Sequence, residues 1–298
     1  MDNDKPYHIP VLVGEVLHFL NPQPKGLYVD VTFGGGGHTT ALLESNPTCR
    51  VIAFDWDKKA IELNALRVEE QYKERISVHW GSFVHLRNNL KKMGIKKVDG
   101  ILADFGTSQY QIFQEGFSFS IDAPLDMRMS TSHSTTTAYD VINKATEEQL
   151  ADIFFTLGGE RSSRRVARFI VTERARNPIF STGQLAAIVM KVIPRYSRTV
   201  HPATKVFQAL RIFVNDELNN IKSFLSQSLD LLNPGGRIVC ISFHSGEDRL
   251  VKQFFKEHTD SLSLLTKKVV IASKEEAQSN PSSRSAKLRA AEFKGPSL

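Results

Sequence analysis

Glycines and acids that follow short apolar runs are the residues of this sequence best suited to bind a nucleotide cofactor. Asp30 lies in one apolar run, and Gly34 to Gly37 follow it, before a helical pattern begins at Thr39. Glycines after a strand let the backbone turn with positive φ and approach a ligand closely. Asp55 ends the next apolar run, where a carboxylate can accept hydrogen bonds from ribose hydroxyls. The pattern predicts a cofactor loop; the alternative is a tight strand-to-helix turn without a ligand.

The residues of this loop favour S-adenosylmethionine over NAD as the cofactor. A dinucleotide-binding loop has a third glycine, and Thr39 occupies that position here. A pyrophosphate needs N–H donors, whereas a methionine ammonium and a sulfonium need acceptors, which Asp30 can supply. An NAD-dependent enzyme remains the alternative on these residues alone.

Apolar runs alternate with helical periodicity over the first third of the chain and again towards its end. Four strands are predicted at residues 27–32, 51–55, 75–80 and 98–104. A long helix over 203–232 and a fifth strand at 237–243 follow later, and 262–272 with 286–293 could form a closing strand pair. Strands that alternate with helices predict an α/β fold with a doubly wound parallel sheet.

The alternation is interrupted in the middle of the chain by a segment with helical patterns only. These patterns lie near 147–157, 160–176 and 182–193, and Ser/Thr and Pro turns join them. The sequence therefore predicts a cofactor domain made of residues 1–110 and 212–298, interrupted by a helical domain at 111–211.

Basic residues are concentrated inside the predicted insert. The chain carries a net charge of +6, yet residues 161–211 contain eleven Arg and Lys residues and one acid, Glu173, for a net charge of +10. Most of the eleven are arginines, which suit bidentate contacts with phosphate better than lysines do. The segment predicts a polyanionic partner such as RNA, and the alternative is a solvated helix face.

Composition excludes several other classes of protein. No apolar run reaches the roughly 18 residues that a membrane span requires, and no secretory signal is recognised at the N-terminus. Cys49 and Cys240 lie in or beside apolar runs, so a disulfide scaffold is excluded and a reduced, cytoplasmic compartment is expected. No Cys/His cluster with ligand spacing is present, so no metal is expected.

Several longer strings carry a family resemblance from residue 8 to about residue 289. The chain resembles the bacterial ribosomal RNA small subunit methyltransferase H family, also called MraW. The strings are His8-Ile-Pro-Val-Leu, Asp30-Val-Thr-Phe-Gly-Gly-Gly-Gly-His38, Gly116-Phe-Ser-Phe, Pro124-Leu-Asp-Met-Arg-Met129, His201-Pro-Ala-Thr-Lys-Val-Phe-Gln-Ala-Leu-Arg211, Val214-Asn-Asp-Glu-Leu218 and Ile241-Ser-Phe-His-Ser-Gly-Glu-Asp-Arg249.

The resemblance implies an enzyme that uses S-adenosylmethionine to methylate the exocyclic N4 of a cytidine in small-subunit ribosomal RNA. It implies a class I methyltransferase domain, which is Rossmann-like, interrupted by a helical substrate-binding domain. The family usually has Ser-Pro where this chain has Gln109 and Tyr110. The family's cofactor contacts fall here on Gly36, Gly37, His38, Asp55, Phe83, Asp104 and Gln111.

Methyl transfer to a cytosine amine requires the donor and the amine to be aligned, with a hydrogen-bond acceptor near the amine. Asp104, at the end of the fourth predicted strand, and the nearby Ser108 are the candidate catalytic residues. His244 ends the fifth strand and could stack on a flipped base; the alternative is a cap for the next helix.

Four arginines are the candidate RNA contacts of the basic segment. The alternative for the first three is an ion pair with Glu160 or Glu173, which would stabilise a helix without binding RNA. The four are Arg164, Arg165, Arg168 and Arg211.

Other functions stay open on the sequence alone. A methyltransferase of this fold could act on another RNA base or on a protein, and a catalytically weak RNA-binding ribosome assembly factor could keep the same fold. The expected partner is ribosomal RNA within the small ribosomal subunit. A homodimer is also left open, because the sequence does not determine the oligomeric state.

Overall fold

A computed structural model of the protein describes residues 9–106, 116–130, 134–193 and 201–295. The chain separates into two compact units, Met1–Ser108 with Leu218–Leu298 (the sheet unit) and Gln109–Glu217 (the helical unit). From the sequence, the junctions are expected at 110/111 and 211/212. The second junction lies later in the structure, because a helix over Thr204–Val214 continues through residue 212.

The sheet unit is built on an eight-stranded mixed sheet with the strand order β3-β2-β1-β4-β5-β8-β6, and β7 also pairs with β8. The first five strands of that order are parallel, and β8 is antiparallel to its neighbours. The predicted doubly wound sheet is confirmed. The strands are β1 (Leu27–Asp30), β2 (Arg50–Asp55), β3 (Ile76–Trp80), β4 (Val98–Asp104), β5 (Leu232–Ser242), β6 (Leu262–Leu264), β7 (Val270–Ile271) and β8 (Lys287–Phe293).

The central strands are buried on both faces, as their continuous apolar sequences predict. Val29, Ile52 and Ile101 belong to the core cluster on one face, and Tyr28 and Leu102 belong to the cluster on the other. This division follows from the two-residue period of a strand. Because the strands are parallel, one edge of the sheet collects the carboxyl-terminal acids of β1, β2 and β4, which are Asp30, Asp55 and Asp104.

Helices cover the sheet and form the helical unit. No helix among the residues described is long and apolar enough to cross a membrane. The helices of the sheet unit are α1 (Val13–Leu20), α2 (Gly37–Ser45), α3 (Lys58–Tyr72), α4 (Leu86–Lys92), α10 (Glu217–Leu231, which begins at the last residue of the helical unit), α11 (Ser245–Glu257) and α12 (Lys274–Ser279). Those of the helical unit are α5 (Ala138–Lys144), α6 (Glu147–Thr156), α7 (Ser163–Arg174), α8 (Thr182–Val192) and α9 (Thr204–Val214).

Local sequence signals begin three helices of the helical unit. Thr137, Thr146 and Ser181 each form a capping box at the start of α5, α6 and α8, which satisfies N–H groups that the helix leaves unpaired. The apolar faces of these helices meet in one core, which includes Phe154 and Leu185. Within its described residues, this unit has only an isolated β-bridge and no strand, as the helical patterns predict.

Two expectations about the last third of the chain are wrong. The predicted continuous helix over 203–232 is broken at Asn215 and Asp216, and Asp216 has a φ of 51°. The Asn215 amide donates to the carbonyl oxygens of Met127 and Arg211, which fixes the end of α9. Leu232 already belongs to β5. The predicted strand over 262–272 is two short strands, β6 and β7, that both pair with β8.

Candidate active site

The glycine loop between β1 and α2 is a tight turn packed closely against its neighbours. Gly34 has a φ of 52°, and Gly36, with a φ of 76°, is the N-cap of α2. The N–H of Gly36 donates to the carbonyl oxygen of Phe33. A Cβ atom at Gly37 would lie 2.7 Å from Cγ of Pro10, so a larger residue would displace the turn. The loop therefore presents backbone at the start of α2, where cofactor contacts are predicted.

Asp55, the predicted ribose ligand, joins the end of β2 to the glycine loop. Its Oδ2 accepts a hydrogen bond from the N–H of Gly34 at 2.7 Å, and its Oδ1 accepts one from the N–H of Asp57 at 2.8 Å. Burial raises the pKa of Asp55 to about 7, despite these two backbone donors. A carboxylate oxygen can accept more than one hydrogen bond, so the side chain can hold the loop and still accept from a ligand.

Asp30 has a structural role that the sequence did not reveal. Its Oδ2 accepts a hydrogen bond from the hydroxyl of Thr39 at 2.7 Å, and its Oδ1 accepts one from the N–H of Thr32 at 3.0 Å. The hydroxyl oxygen of Thr32 accepts in turn from the N–H of Asp104 at 2.7 Å. Thr39, at the position where a dinucleotide loop has glycine, thus links α2 to β1, and Thr32 links β1 to β4.

Asp104 and His38 lie together at the carboxyl edge of the sheet. The Nε2 atom of His38 lies 2.8 Å from the carbonyl oxygen of Val11, which can only accept, so Nε2 carries a proton and donates it to that oxygen. The Nδ1 atom lies 3.7 Å from Oδ2 of Asp104. Burial raises the pKa of Asp104 to about 7, against the opposing effect of His38 and with smaller raising contributions from Asp30 and Glu247.

The second carboxylate oxygen of Asp104 has an open acceptor position. Its Oδ1 atom is buried and accepts no hydrogen bond from any residue that the structure describes. A buried polar atom without a partner is costly, and such atoms occur where a ligand completes the site. Asp104 is therefore the acid of this edge that is best placed to receive a donor from a bound molecule.

Aromatic side chains line the part of the edge that follows β2 and β3. Phe83 lies in a short 3₁₀ turn after β3, and its ring centroid is 6.2 Å from that of Trp56 and 5.7 Å from that of Phe224. Phe83 is the predicted cofactor contact of this region. Trp56 was not predicted, although its position directly after Asp55 was a signal that could have identified it.

His244 caps helix α11, which is the structural alternative considered for it. Its Nδ1 accepts hydrogen bonds from the N–H groups of Gly246 and Glu247 at 3.1 and 3.4 Å. The buried Glu247 carboxylate accepts in return from the N–H groups of Phe243 and His244. Glu247 was not predicted from the sequence. The one pattern that could have identified it is the capping-box spacing between residue 244 and residue 247. A contact between His244 and a flipped base stays a prediction.

The arginines predicted to bind RNA differ in their surroundings. Arg164 is exposed and makes no hydrogen bond or ion pair with any described residue. Arg165 donates to the carbonyl oxygen of Val192, and Arg168 pairs with Glu147 at 3.3 Å. The alternative for these three arginines was an ion pair with Glu160 or Glu173. The structure shows no such pair for them among the described residues.

Arg211 fits an RNA contact poorly. Its guanidinium forms a two-point ion pair with Glu217, at 2.8 and 2.9 Å, and 17% of its side chain and 7% of that of Glu217 is exposed. This pair joins α9 to the first residue of α10, so the structure gives Arg211 a stabilising role. Two further predicted residues, Ser108 and Gln111, lie outside the described residues.

The sheet order, the glycine loop and the acids at the carboxyl edge define a class I, Rossmann-like methyltransferase. The chain belongs to the MraW methylase family, whose model matches residues 5–294. It is 46% identical over 287 residues to a ribosomal RNA small subunit methyltransferase H from a Cyanothece species, with 96% of this chain and 94% of that protein covered.

Two further similarities complete the comparison. A ribosomal RNA small subunit methyltransferase H from Endomicrobium trichonymphae is 46% identical over 290 residues, covering 96% of this chain and 98% of that protein. Among solved structures, an rRNA methylase from Streptococcus thermophilus is 10% identical and has a TM-score of 0.47, with 98% and 99% of the two chains covered. At that score the likeness adds nothing to the family assignment.

S-adenosylmethionine is the cofactor of this family, and the residues at the edge fit it. The molecule carries an ammonium donor and a sulfonium cation, and both favour nearby acceptors. The carboxylate of Asp104 is such an acceptor, and the tightly packed loop at Gly36 and Gly37 places backbone at the start of α2. Asp55 and Phe83 supply a carboxylate and an aromatic face on the neighbouring strand ends.

Proposed function

We propose that this protein transfers a methyl group from S-adenosylmethionine to the exocyclic N4 of a cytidine in small-subunit ribosomal RNA. The family match and the relatives named ribosomal RNA small subunit methyltransferase H support this target. The observation that carries the chemistry is the buried Oδ1 of Asp104, which lacks a partner among the described residues.

The cytosine amine is a poor nucleophile because its lone pair is delocalised into the ring. In the proposed reaction Asp104 accepts a hydrogen bond from the amine, which favours a pyramidal nitrogen and stabilises positive charge as it develops there. The cofactor supplies the methyl group. The methylated nitrogen must lose one proton, and a carboxylate whose pKa is about 7 accepts that proton at neutral pH more readily than an ordinary aspartate does.

The remaining residues of the edge bind and orient the cofactor in this proposal. Gly36, Gly37 and His38 contact it from the start of α2, Asp55 accepts from its ribose, and Phe83 covers its adenine. Gln111 and Ser108 are kept as proposed contacts of the loop after Asp104. Together these residues hold the reacting groups in line, which supplies much of the rate of a displacement reaction.

The helical unit is proposed to bind the RNA, with α7 as its principal surface. Arg164 and Arg165 are exposed on this helix, and neither forms an ion pair with an acid that the structure describes. Arg164 and Arg168 are four residues apart and therefore neighbours on the helix surface, where exposed arginines can contact successive phosphates. The proposed partner is the small ribosomal subunit, and the proposed compartment is the cytoplasm.

Mass spectrometry of ribosomal RNA nucleosides tests the proposed function directly. N4-methylated cytidine from the small-subunit RNA should be reduced in cells that lack the gene and restored by the wild-type gene but not by an Asp104→Asn variant. Unchanged nucleosides would contradict a role in methylation and favour an assembly factor. A different missing nucleoside would identify another target base.

A further inference from the structure

A groove beside the carboxyl edge of the sheet contains none of the residues proposed to contact the cofactor. It has a volume of about 330 Å³ and lies within the sheet unit, between the end of β5 and the segment that leads through β7 and α12 into β8. Its lining includes the ring of Phe243, the exposed Ile271 and the two cations Arg284 and Lys287. No acidic residue is among the described residues that line it. This volume is near the lower end of the range for small-molecule sites.

The backbone of Phe243, whose side chain lines this groove, is held in place by the buried carboxylate of Glu247. Its Oε2 accepts a hydrogen bond from the N–H of Phe243 at 2.7 Å. On its other side the Phe243 ring lies against Gly106, where a Cβ atom would be 3.1 Å from the ring. Gly106 has a φ of 108°, a backbone conformation that favours glycine. The lack of a side chain at this residue also lets the Phe243 ring approach closely. The ring is therefore pre-oriented.

The groove is close to Asp104 and on the same edge of the sheet. In the strand register, Asp104 lies opposite Ile241 of β5, and Ser242 lies opposite Lys287 of β8. Two strand spacings separate β4 from β8, so Lys287 lies on the order of 10 Å from Asp104. An RNA strand with one base at Asp104 can therefore place an adjoining nucleotide in the groove.

We infer that this groove binds a nucleotide of the RNA substrate that adjoins the methylated cytidine. The base stacks on Phe243, and the flanking phosphates contact Arg284 and Lys287. Aromatic rings with nearby cations are the usual elements of single-stranded nucleic-acid sites. The Nε–H of Arg284 donates to the carbonyl oxygen of Ala277, and its side chain is exposed, so it can also contact a phosphate. This inference rests on the proposed function, because it takes RNA as the substrate.

The test uses the full chain and small ribosomal subunits isolated from cells that lack the gene. Binding is measured at several salt concentrations with S-adenosylhomocysteine present. A variant carrying both Arg284→Ala and Lys287→Ala should flatten the slope of log affinity against log salt by about 1.4, since each phosphate contact on a single strand contributes about 0.7. Its KM for subunits should rise while its single-turnover rate at saturation stays near that of the wild type.

The matched control carries Lys92→Ala and Lys96→Ala. Both lysines are exposed, and they lie before β4, roughly 20 Å from its carboxyl end. This control removes the same charge and should keep the wild-type slope and KM. Phe243→Leu should weaken subunit binding at least about fivefold, whereas Phe243→Trp should retain binding. Affinity for S-adenosylmethionine and the melting temperature report on folding in each variant.

The outcomes separate this inference from the proposed function. The inference is overturned if the Arg284 and Lys287 variant has the same salt slope and KM as the control. A wild-type protein that binds subunits but methylates no cytidine contradicts the proposed function, and the salt slopes still decide whether the groove binds RNA.

Discussion

The charged residues of the two units lie in opposite environments. At the carboxyl edge of the sheet, Asp55 is buried and only 12% of the Asp104 side chain is exposed, and burial raises both of their pKa values to about 7. On helix α7, Arg164, Arg165 and Arg168 are exposed, where water and salt screen their interactions. A buried acid therefore has one position and one set of partners, and its loss should have a large effect. An exposed arginine contributes a small, salt-dependent increment to affinity.

The largest effect is expected for Asp104→Asn. The change keeps the shape of the side chain but removes the charge that stabilises the amine nitrogen in the transition state, so single-turnover methylation of small ribosomal subunits should fall about 100- to 1000-fold. Subunit affinity should stay within about twofold of the wild type, because the change acts on the transition state. Rapid-quench measurements at saturating cofactor give the rate.

A matched control for this variant exists on the same strand. Asp99 lies near the amino end of β4, where its carboxylate accepts from the N–H of Leu27 and from the Asn233 amide. Asp99→Asn should lower thermal stability without lowering the methylation rate. Equal rates for the two variants would remove Asp104 from its catalytic role.

Arg211→Ala tests whether Arg211 stabilises the fold or binds RNA as the exposed arginines of α7 are proposed to do. Because the change leaves the buried Glu217 without its ion-pair partner, the free energy of unfolding should fall by about 3 kcal/mol. Replacing both residues with apolar ones, Arg211→Met with Glu217→Leu, should recover much of that loss. Chemical denaturation measures both values. An Arg211→Ala variant that keeps full stability but loses RNA affinity would return Arg211 to the RNA-binding surface.

Asp55→Ala should weaken S-adenosylmethionine binding by roughly 1.5–3 kcal/mol, the scale of a hydrogen bond to a charged group. The neighbouring Asp57 provides the control, because it caps α3 by accepting from the N–H groups of Lys59 and Ala60. Asp57→Ala should cost about 1 kcal/mol of stability and leave cofactor affinity unchanged. Isothermal titration of both variants compares the two acids. Wild-type affinity in Asp55→Ala would rule out the ribose role.

Sequence reasoning succeeded where a short-range pattern determines the position of a residue. A strand's period and the parallel sheet place Asp55 and Asp104 at one edge, whatever the rest of the chain does. Contacts between residues far apart in sequence are not encoded in this way. The pairing of Arg168 with Glu147 joins two helices, so the charge count overstates how many cations are unpaired. The break at Asp216 likewise depends on an Asn215 amide that reaches Met127.

The raised pKa values of the buried acids predict a pH dependence of cofactor binding. A carboxyl group with a pKa near 7 instead of 3.8 stabilises the fold fully below about pH 4, and this stabilisation is lost as the pH rises through 7. A cationic ligand favours the ionised acid, so binding should release a proton below pH 7. Affinity should therefore rise towards pH 7, by up to about tenfold per pH unit for each proton released, and then level off.

Titration calorimetry in buffers of different ionisation enthalpy counts the released protons. Asp104→Asn should release fewer protons than the wild type between pH 5 and pH 7, because one of the acids with a raised pKa is absent. A proton count that is unchanged in this variant would assign the release to Asp55 or to another group.

The smallest effects are expected on α7 and just before it, where single arginines differ in whether they have a partner. Arg161 and Arg164 make no ion pair with any described residue, whereas Arg168 pairs with Glu147. A variant with Arg161→Ala and Arg164→Ala should flatten the salt slope of subunit binding by about 1.4 to 1.8, since each phosphate contact contributes about 0.7 on a single strand and about 0.9 on a duplex. Arg168→Ala should change it by less than about 0.5, because a residue already paired has less charge to offer. S-adenosylmethionine affinity should stay unchanged in both variants, because the cofactor loop belongs to the sheet unit. If the first variant instead melts at a lower temperature and keeps the wild-type slope, these arginines form a solvated structural face and the RNA-binding surface lies elsewhere.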